Sequence, residues 1–146
     1  MMSPPVTAES TRMIELDAAT SLHLLSTIEF GRLVFTLNAM PAIRPVNHLV
    51  DGGEILIRAS LPARSVPYTA GVPMPEGTVV AYEADEIDAQ HRSGWTVVVT
   101  GIATPVLDPA RHRRSRPLLK SWVHQPEGAL LVVQPQLITG YRLCDG

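Results

Sequence analysis

Three arginines lie along one stretch of this chain, Arg44, Arg58 and Arg64, with Ser60 between the last two. Arginine suits a phosphate because its planar fork donates two parallel hydrogen bonds to two oxygens. Arg58 and Ser60 are two residues apart, so in a strand their side chains share a face. Arg64 follows after Pro62 has turned the chain. The three could converge on one dianion, and the same spacing equally describes surface arginines at a strand end. Other chemistry has less to stand on. None of the five histidines (His23, His48, His91, His112, His124) pairs with another histidine or a cysteine at metal-ligand spacing, which argues against zinc. A lone strand histidine such as His48 reads as partly buried structure. There is no phosphate-loop lysine motif, no dinucleotide glycine fingerprint and no serine in a nucleophile elbow. The basic run from Arg111 to Arg116 reads as a solvated helix face. Glu83, Asp85, Glu86 and Asp88 read as a polar turn, able to pair with that run, rather than as a cation site.

Holding Arg58 and Ser60 in place takes a hairpin. Ala42–Val50 reads as a strand, and Asp51-Gly52-Gly53 is a strong hairpin turn. Glu54–Ser60 then returns with Ile55 and Ile57 on one face, and Leu56, Arg58 and Ser60 on the other. Pro45 cannot donate to a ladder, so it belongs at an edge or a bulge. Upstream, Asp17 is placed to cap a helix over Ala18–Ile28, whose apolar face is Leu22, Leu25 and Ile28. That helix is expected to end near Phe30-Gly31. The period then changes to two over Arg32–Leu37, and Asn38–Pro41 makes a turn. Residues 61–77 read as a proline-rich loop, Thr78–Glu83 as a strand, and Asp85–Ser93 as a polar connection. Gly94–Leu107 gives the longest strand signal, bent at Gly101. Asp108 and Pro109 open a second helix, which Pro117 interrupts. Ala129–Val133 and Leu137–Leu143 read as two strands parted by Pro135. Six or seven strands with two helices indicate a mainly β protein, a small β-barrel with flanking helices.

Composition bounds the partners. The 146 residues are 45% hydrophobic and 18% charged, with a net charge of −2. This is one domain, residues 14–146, behind a flexible tail at residues 1–13. The charge provides no basic field for nucleic acid, and no apolar run reaches the length of a membrane span, so neither partner is expected. The apolar fraction is high enough to bury some surface between subunits. One cysteine, Cys144, excludes an intrachain disulfide and a multi-cysteine metal site. The N-terminus does not read as a signal peptide, and the expected location is the cytoplasm.

Five segments fall in a familiar order: Gly31-Arg32-Leu33; Pro45-Val46-Asn47; Ile57-Arg58-Ala59-Ser60 with a base at Arg64; Asp85-Glu86-Ile87-Asp88; and Gly94-Trp95-Thr96-Val97-Val98-Val99-Thr100-Gly101-Ile102-Ala103. Over roughly residues 14–108 the chain resembles the pyridoxamine 5′-phosphate oxidase-like, FMN-binding split-barrel family of actinobacterial type. The resemblance implies a split β-barrel homodimer with FMN at the subunit interface. It places Arg44, Pro45, Val46 and Asn47 along the flavin ring, and Ile57, Arg58, Ala59 and Ser60, with Arg64 beyond, at the phosphate. Lysine is usual where Arg64 stands, and Leu61-Pro62-Ala63 replaces the usual small residue or glycine before it. Trp95 and Thr96 match positions near the cofactor, often that of the partner subunit; an exposed strand aromatic equally suits interface packing. The implied activity is hydride transfer between flavin and a small-molecule substrate. The alternative is a non-catalytic carrier of flavin, deazaflavin F420 or haem.

Overall fold

Alternation of apolar and polar residues governs most of the chain, and strands dominate accordingly. The structure is a computed structural model and describes residues 12–61, 77–119 and 128–144. In chain order the elements are β1 (Arg12–Leu16), α1 (Ala18–Ser26), β2 (Phe30–Leu37), β3 (Met40–Asp51), β4 (Glu54–Ala59), β5 (Thr78–Asp88), β6 (Ser93–Pro105), α2 (Pro109–Ser115), a 3₁₀ turn (Arg116–Leu118) and β7 (Ala129–Cys144). All ladders are antiparallel, in the order β1-β7-β4-β3-β2-β5-β6. A further β6–β7 ladder joins the ends of that order and closes a six-stranded barrel, with β1 added outside on β7. The fold is a split β-barrel with flanking helices.

Inward residues of every barrel strand meet in one core. Leu33, Ile55, Ile57, Tyr82, Val97 and Val99 are fully buried, and Leu25 of α1 plugs one end. Each such side chain contributes about 1.5–3 kcal/mol relative to exposure. A second, smaller cluster lies outside the barrel, where Leu119 covers Leu56, Leu130 and Val132. The expected caps and turns form. Asp17 accepts from Thr20 N at 2.7 Å, Asp108 accepts from Ala110 N at 3.0 Å, and Pro109 opens α2. Gly52 and Gly53 take φ of +59° and +79°, the left-handed backbone a two-residue hairpin turn requires.

Tertiary contacts override local expectation in several places. α1 ends at Ser26, because the Thr27 hydroxyl caps Leu24 O at 2.6 Å, and Phe30-Gly31 begins β2 instead of closing the helix. Arg12 and Met13 are not tail; they start β1 because β7 offers them an edge. β5 runs on through Asp88, since Asp85–Asp88 pair with Thr96–Ser93, so the polar connection shrinks to residues 89–92. Pro135 does not divide two strands. It sits inside β7 opposite Gly101, where the register shifts, and a bulge tolerates the missing N–H. Pro45 meets its expectation in a local sense: β4 pairs with β3 only over His48–Asp51, so one edge of β3 is out of the ladder at Pro45.

The basic run divides, and it does not pair with the carboxylates Glu83–Asp88. Arg111 instead bonds Asp51 and Glu54, each at 2.9 Å, and pins α2 to the β3–β4 hairpin, while Asp88 pairs with His91. Arg111→Ala should cost about 1–2 kcal/mol, read as a lower melting temperature, because two facing carboxylates lose a partly buried fork. Arg111→Lys should recover only part of it, since an ammonium reaches two separate carboxylates less well.

Candidate functional site at the barrel split

β3 and β4 part beyond the His48–Ile57 pair. β3 continues against β2, while β4 carries Arg58 and Ala59 onto β7. Arg44 bridges the gap. Its Nη1 donates to Ser60 O at 2.7 Å, and its guanidinium lies 4.9 Å from the centre of the Phe35 ring.

Strand parity sorts the expected site residues. Val46, Ile57 and Ala59 point into the core and offer the split only their backbones. Asn47, Arg58 and Ser60 have the opposite parity, on the outer face. Arg58 Nη1 donates to Leu119 O at 3.2 Å and its Nε to Gly128 O at 3.4 Å. Asn47 Oδ1 is buried with no hydrogen-bond partner among the described residues. Leaving such an acceptor without a donor costs about 1–3 kcal/mol. Phe30 stands opposite Asn47 in the β2–β3 register and is 46% exposed. Arg44 and Ser60 therefore meet across the split, with Asn47 and Arg58 beside them. Pro62, Ala63 and Arg64 lie outside the described residues.

Trp95 is neither an exposed aromatic nor at this face. It has the inward parity of Val97 and Val99 and is 6% exposed, so within this chain it is core. Thr96 lies opposite Asp85 and Tyr141, on strand β6, which β2 and β5 separate from β3.

A cleft of about 590 Å³ adjoins the split. The β2–β5 ladder covers only Arg32–Val34 against Glu83–Ala81, so the two strands separate past Arg32 and leave this space. Ile28, Phe30, Pro45 and Val46 form its apolar wall, with Glu29, Arg32, Asp85 and Glu86 as the charged lining. Arg32 Nη1 bonds Glu83 Oε2 and Asp85 Oδ2, both at 3.1 Å. Sequence reasoning missed Ile28–Phe30 because they read as helix end. The available signal was Gly31 at the head of an alternating run.

Burial, and then the neighbouring Asp85 carboxylate, push the Glu83 carboxyl up to about 7, against the opposing pull of Arg32. A raised acid holds its proton longer in the folded state. Its contribution is therefore full below the ordinary glutamate range and is lost as pH rises through about 7. Glu83→Gln should flatten the fall in melting temperature between pH 5 and pH 8, and a slope equal to that of the parent would show that Glu83 titrates normally.

Residues 17–142 match the sequence profile of the family described as pyridoxamine 5′-phosphate oxidase. The chain belongs to that family. Among relatives of this oxidase-like protein, an uncharacterized protein of Mycobacterium tuberculosis H37Rv (Rv0080) is 44% identical over 131 residues, covering 90% of this chain and 86% of the relative. A solved structure of a candidate pyridoxamine 5′-phosphate oxidase from Corynebacterium glutamicum superposes with a TM-score of 0.69 at 27% identity, over 100% of this chain and 99% of that one. An FAD-binding protein of Mycobacterium smegmatis gives a TM-score of 0.60 at 26% identity, over 90% of this chain and 98% of that one.

Proposed function

We propose that this oxidase-like protein binds a flavin, FMN in the first instance, on the outer face of the β3–β4 split, and works as an oxidoreductase on a small molecule. The observation that carries the reading is the buried Asn47 Oδ1, which has no donor among the described residues and stands beside Arg58 and Ser60. A ligand with a ring N–H and an anionic tail fits that pair of demands. Asn47 would accept from the ring, while Arg58 and Ser60, with Arg64 beyond, would hold the phosphate. Arg44 keeps the two diverging strands at a fixed separation. Bound flavin supplies the hydride chemistry; the chain supplies binding, orientation and tuning of the ring. The cleft beside Phe30 is where we place the substrate. The similar Mycobacterium smegmatis FAD-binding protein supports the flavin class and makes FAD the nearest competitor to FMN.

The same reading makes the protein a cytoplasmic homodimer. The outer barrel face carries Ile43 and Val79, 63% and 68% exposed, which a second copy would cover. Thr96 would then serve the partner's site. Among the described residues, no helix is long and apolar enough to cross a membrane.

Purified protein should be yellow, or should become so with FMN, and its melting temperature should rise with added FMN. Parallel titrations with FAD, F420 and haem rank the cofactors, and NAD(P)H with generic acceptors tests turnover. A colourless protein that none of the flavins stabilises would overturn the proposal; binding without turnover would make the protein a carrier.

A further inference from the structure

Two polar side chains are sealed inside the barrel, directly behind the cleft. Tyr82 is fully buried and His48 is 4% exposed. His48 Nε2 lies 2.8 Å from Leu25 O, and Nδ1 lies 2.5 Å from the Tyr82 hydroxyl, with the rings edge-on and their centres 5.1 Å apart. A carbonyl only accepts, so Nε2 carries its hydrogen toward Leu25. Burial holds the imidazole below its usual range, hence neutral, so Nδ1 accepts and the Tyr82 hydroxyl donates to it. The same hydroxyl is 3.1 Å from Val46 O, so its single hydrogen is shared between two acceptors, Nδ1 and that carbonyl, and its oxygen packs against Gly31. Only a glycine permits this approach, since a Cβ at position 31 would stand 2.9 Å from the hydroxyl oxygen.

Gly31 and Val46 face each other across the β2–β3 ladder, and both line the cleft. One buried hydroxyl thus touches both strands of the cleft wall from behind. Its own position is fixed by His48, and His48 is fixed by the last turn of α1. Val46 also precedes Asn47, so a shift of one moves the other. We propose that Tyr82 and His48 are positioning residues of the cofactor site, setting where the Gly31 and Val46–Asn47 backbones lie without touching the ligand. This rests on the flavin reading above.

The test uses the full-length protein, with FMN as probe, in Tyr82→Phe, His48→Leu, His48→Gln and the control Val99→Ala. Phenylalanine fills the same space as tyrosine, so the barrel keeps its packing. Tyr82→Phe and His48→Leu should each weaken FMN binding by about tenfold, one buried hydrogen bond's worth. They should also speed amide exchange at Gly31 and Asn47. His48→Gln keeps a donor and an acceptor and should restore most of the binding. Val99→Ala, in the core on β6, should lower the melting temperature yet leave FMN binding and those two amides unchanged. The inference is overturned if Tyr82→Phe binds FMN like the parent, or if all four variants lose binding in proportion to melting temperature. Should the parent bind no FMN, the choice of FMN fails separately, and amide exchange decides the positioning role. Faster exchange at Gly31 and Asn47 in Tyr82→Phe but not in Val99→Ala would uphold it; unchanged exchange would end it.

Discussion

Arg58→Ala should weaken FMN binding by about 10- to 150-fold, the loss of one charge-assisted phosphate bond at about 1.5–3 kcal/mol. The position follows from β4 itself. Ile55, Ile57 and Ala59 fill the barrel, so the alternate residue Arg58 must project outward. There it already donates to Leu119 O and Gly128 O, which tie down the chain on either side of residues 120–127. The substitution therefore carries two costs, one to ligand and one to fold, and two measurements separate them. Titration reads the first and thermal melting the second. Arg58→Lys should keep most of the charge but lose the fork, giving an intermediate affinity. Arg64→Ala should weaken FMN binding in the same direction. A variant that melts lower but binds FMN as tightly as the parent would reduce Arg58 to a structural tie.

Gly31→Ala is expected to be the most damaging small change in the barrel wall. The added methyl would lie 2.4 Å from Glu83 O and 2.9 Å from the Tyr82 ring. A backbone oxygen in a ladder cannot swing aside, so β2 and β5 would have to separate. Overpacking of this kind costs about 2–3 kcal/mol, or roughly 5–10 °C in melting temperature for a chain of this size. Gly52→Ala is the useful comparison. Unlike Gly31 it has a left-handed φ, +59°, but nothing lies within 4 Å, so it should show only the backbone strain and leave FMN binding alone. Gly31→Ala should lose FMN binding as well, because Gly31 pairs with Val46 and its neighbour Phe30 stands opposite Asn47, the proposed ring contact. An unchanged melting temperature would show that β2 can withdraw from β5.

What the sequence made legible was what neighbouring residues decide among themselves. Asp51-Gly52-Gly53, the Asp108-Pro109 cap and the common face of Arg58 and Ser60 depend on a few adjacent residues. The Gly101 bulge was visible for the same reason, although its opposite member, Pro135, was misread. That proline ends a strand by local rules, and only closure of the barrel makes it the counterpart of the bulge. β1 is a strand only because β7 extends past β4 and leaves an edge for it. Trp95 looked like a surface aromatic because the alternation around it has two consistent phases, and the barrel selects the inward one. The carbonyl partners of Arg58 lie 61 and 70 residues away along the chain, beyond any local pattern. The cleft is the least legible feature of all, being made by two strands that stop pairing.

Strand β7 follows every other described element, yet its sixteen residues pair with β1, β4 and β6. During synthesis, β1 therefore leaves the ribosome with β7, its only partner among the described elements, still untranslated, and β4 and β6 each present a bare edge while they wait. The nascent chain holds open hydrogen-bonding edges and an unsealed apolar interior until β7 has been made. Vectorial folding is closed to this topology. Its yield in a cell is thus set by how well those edges are shielded in the interval before the last strand arrives, a matter of translation speed and chaperone supply.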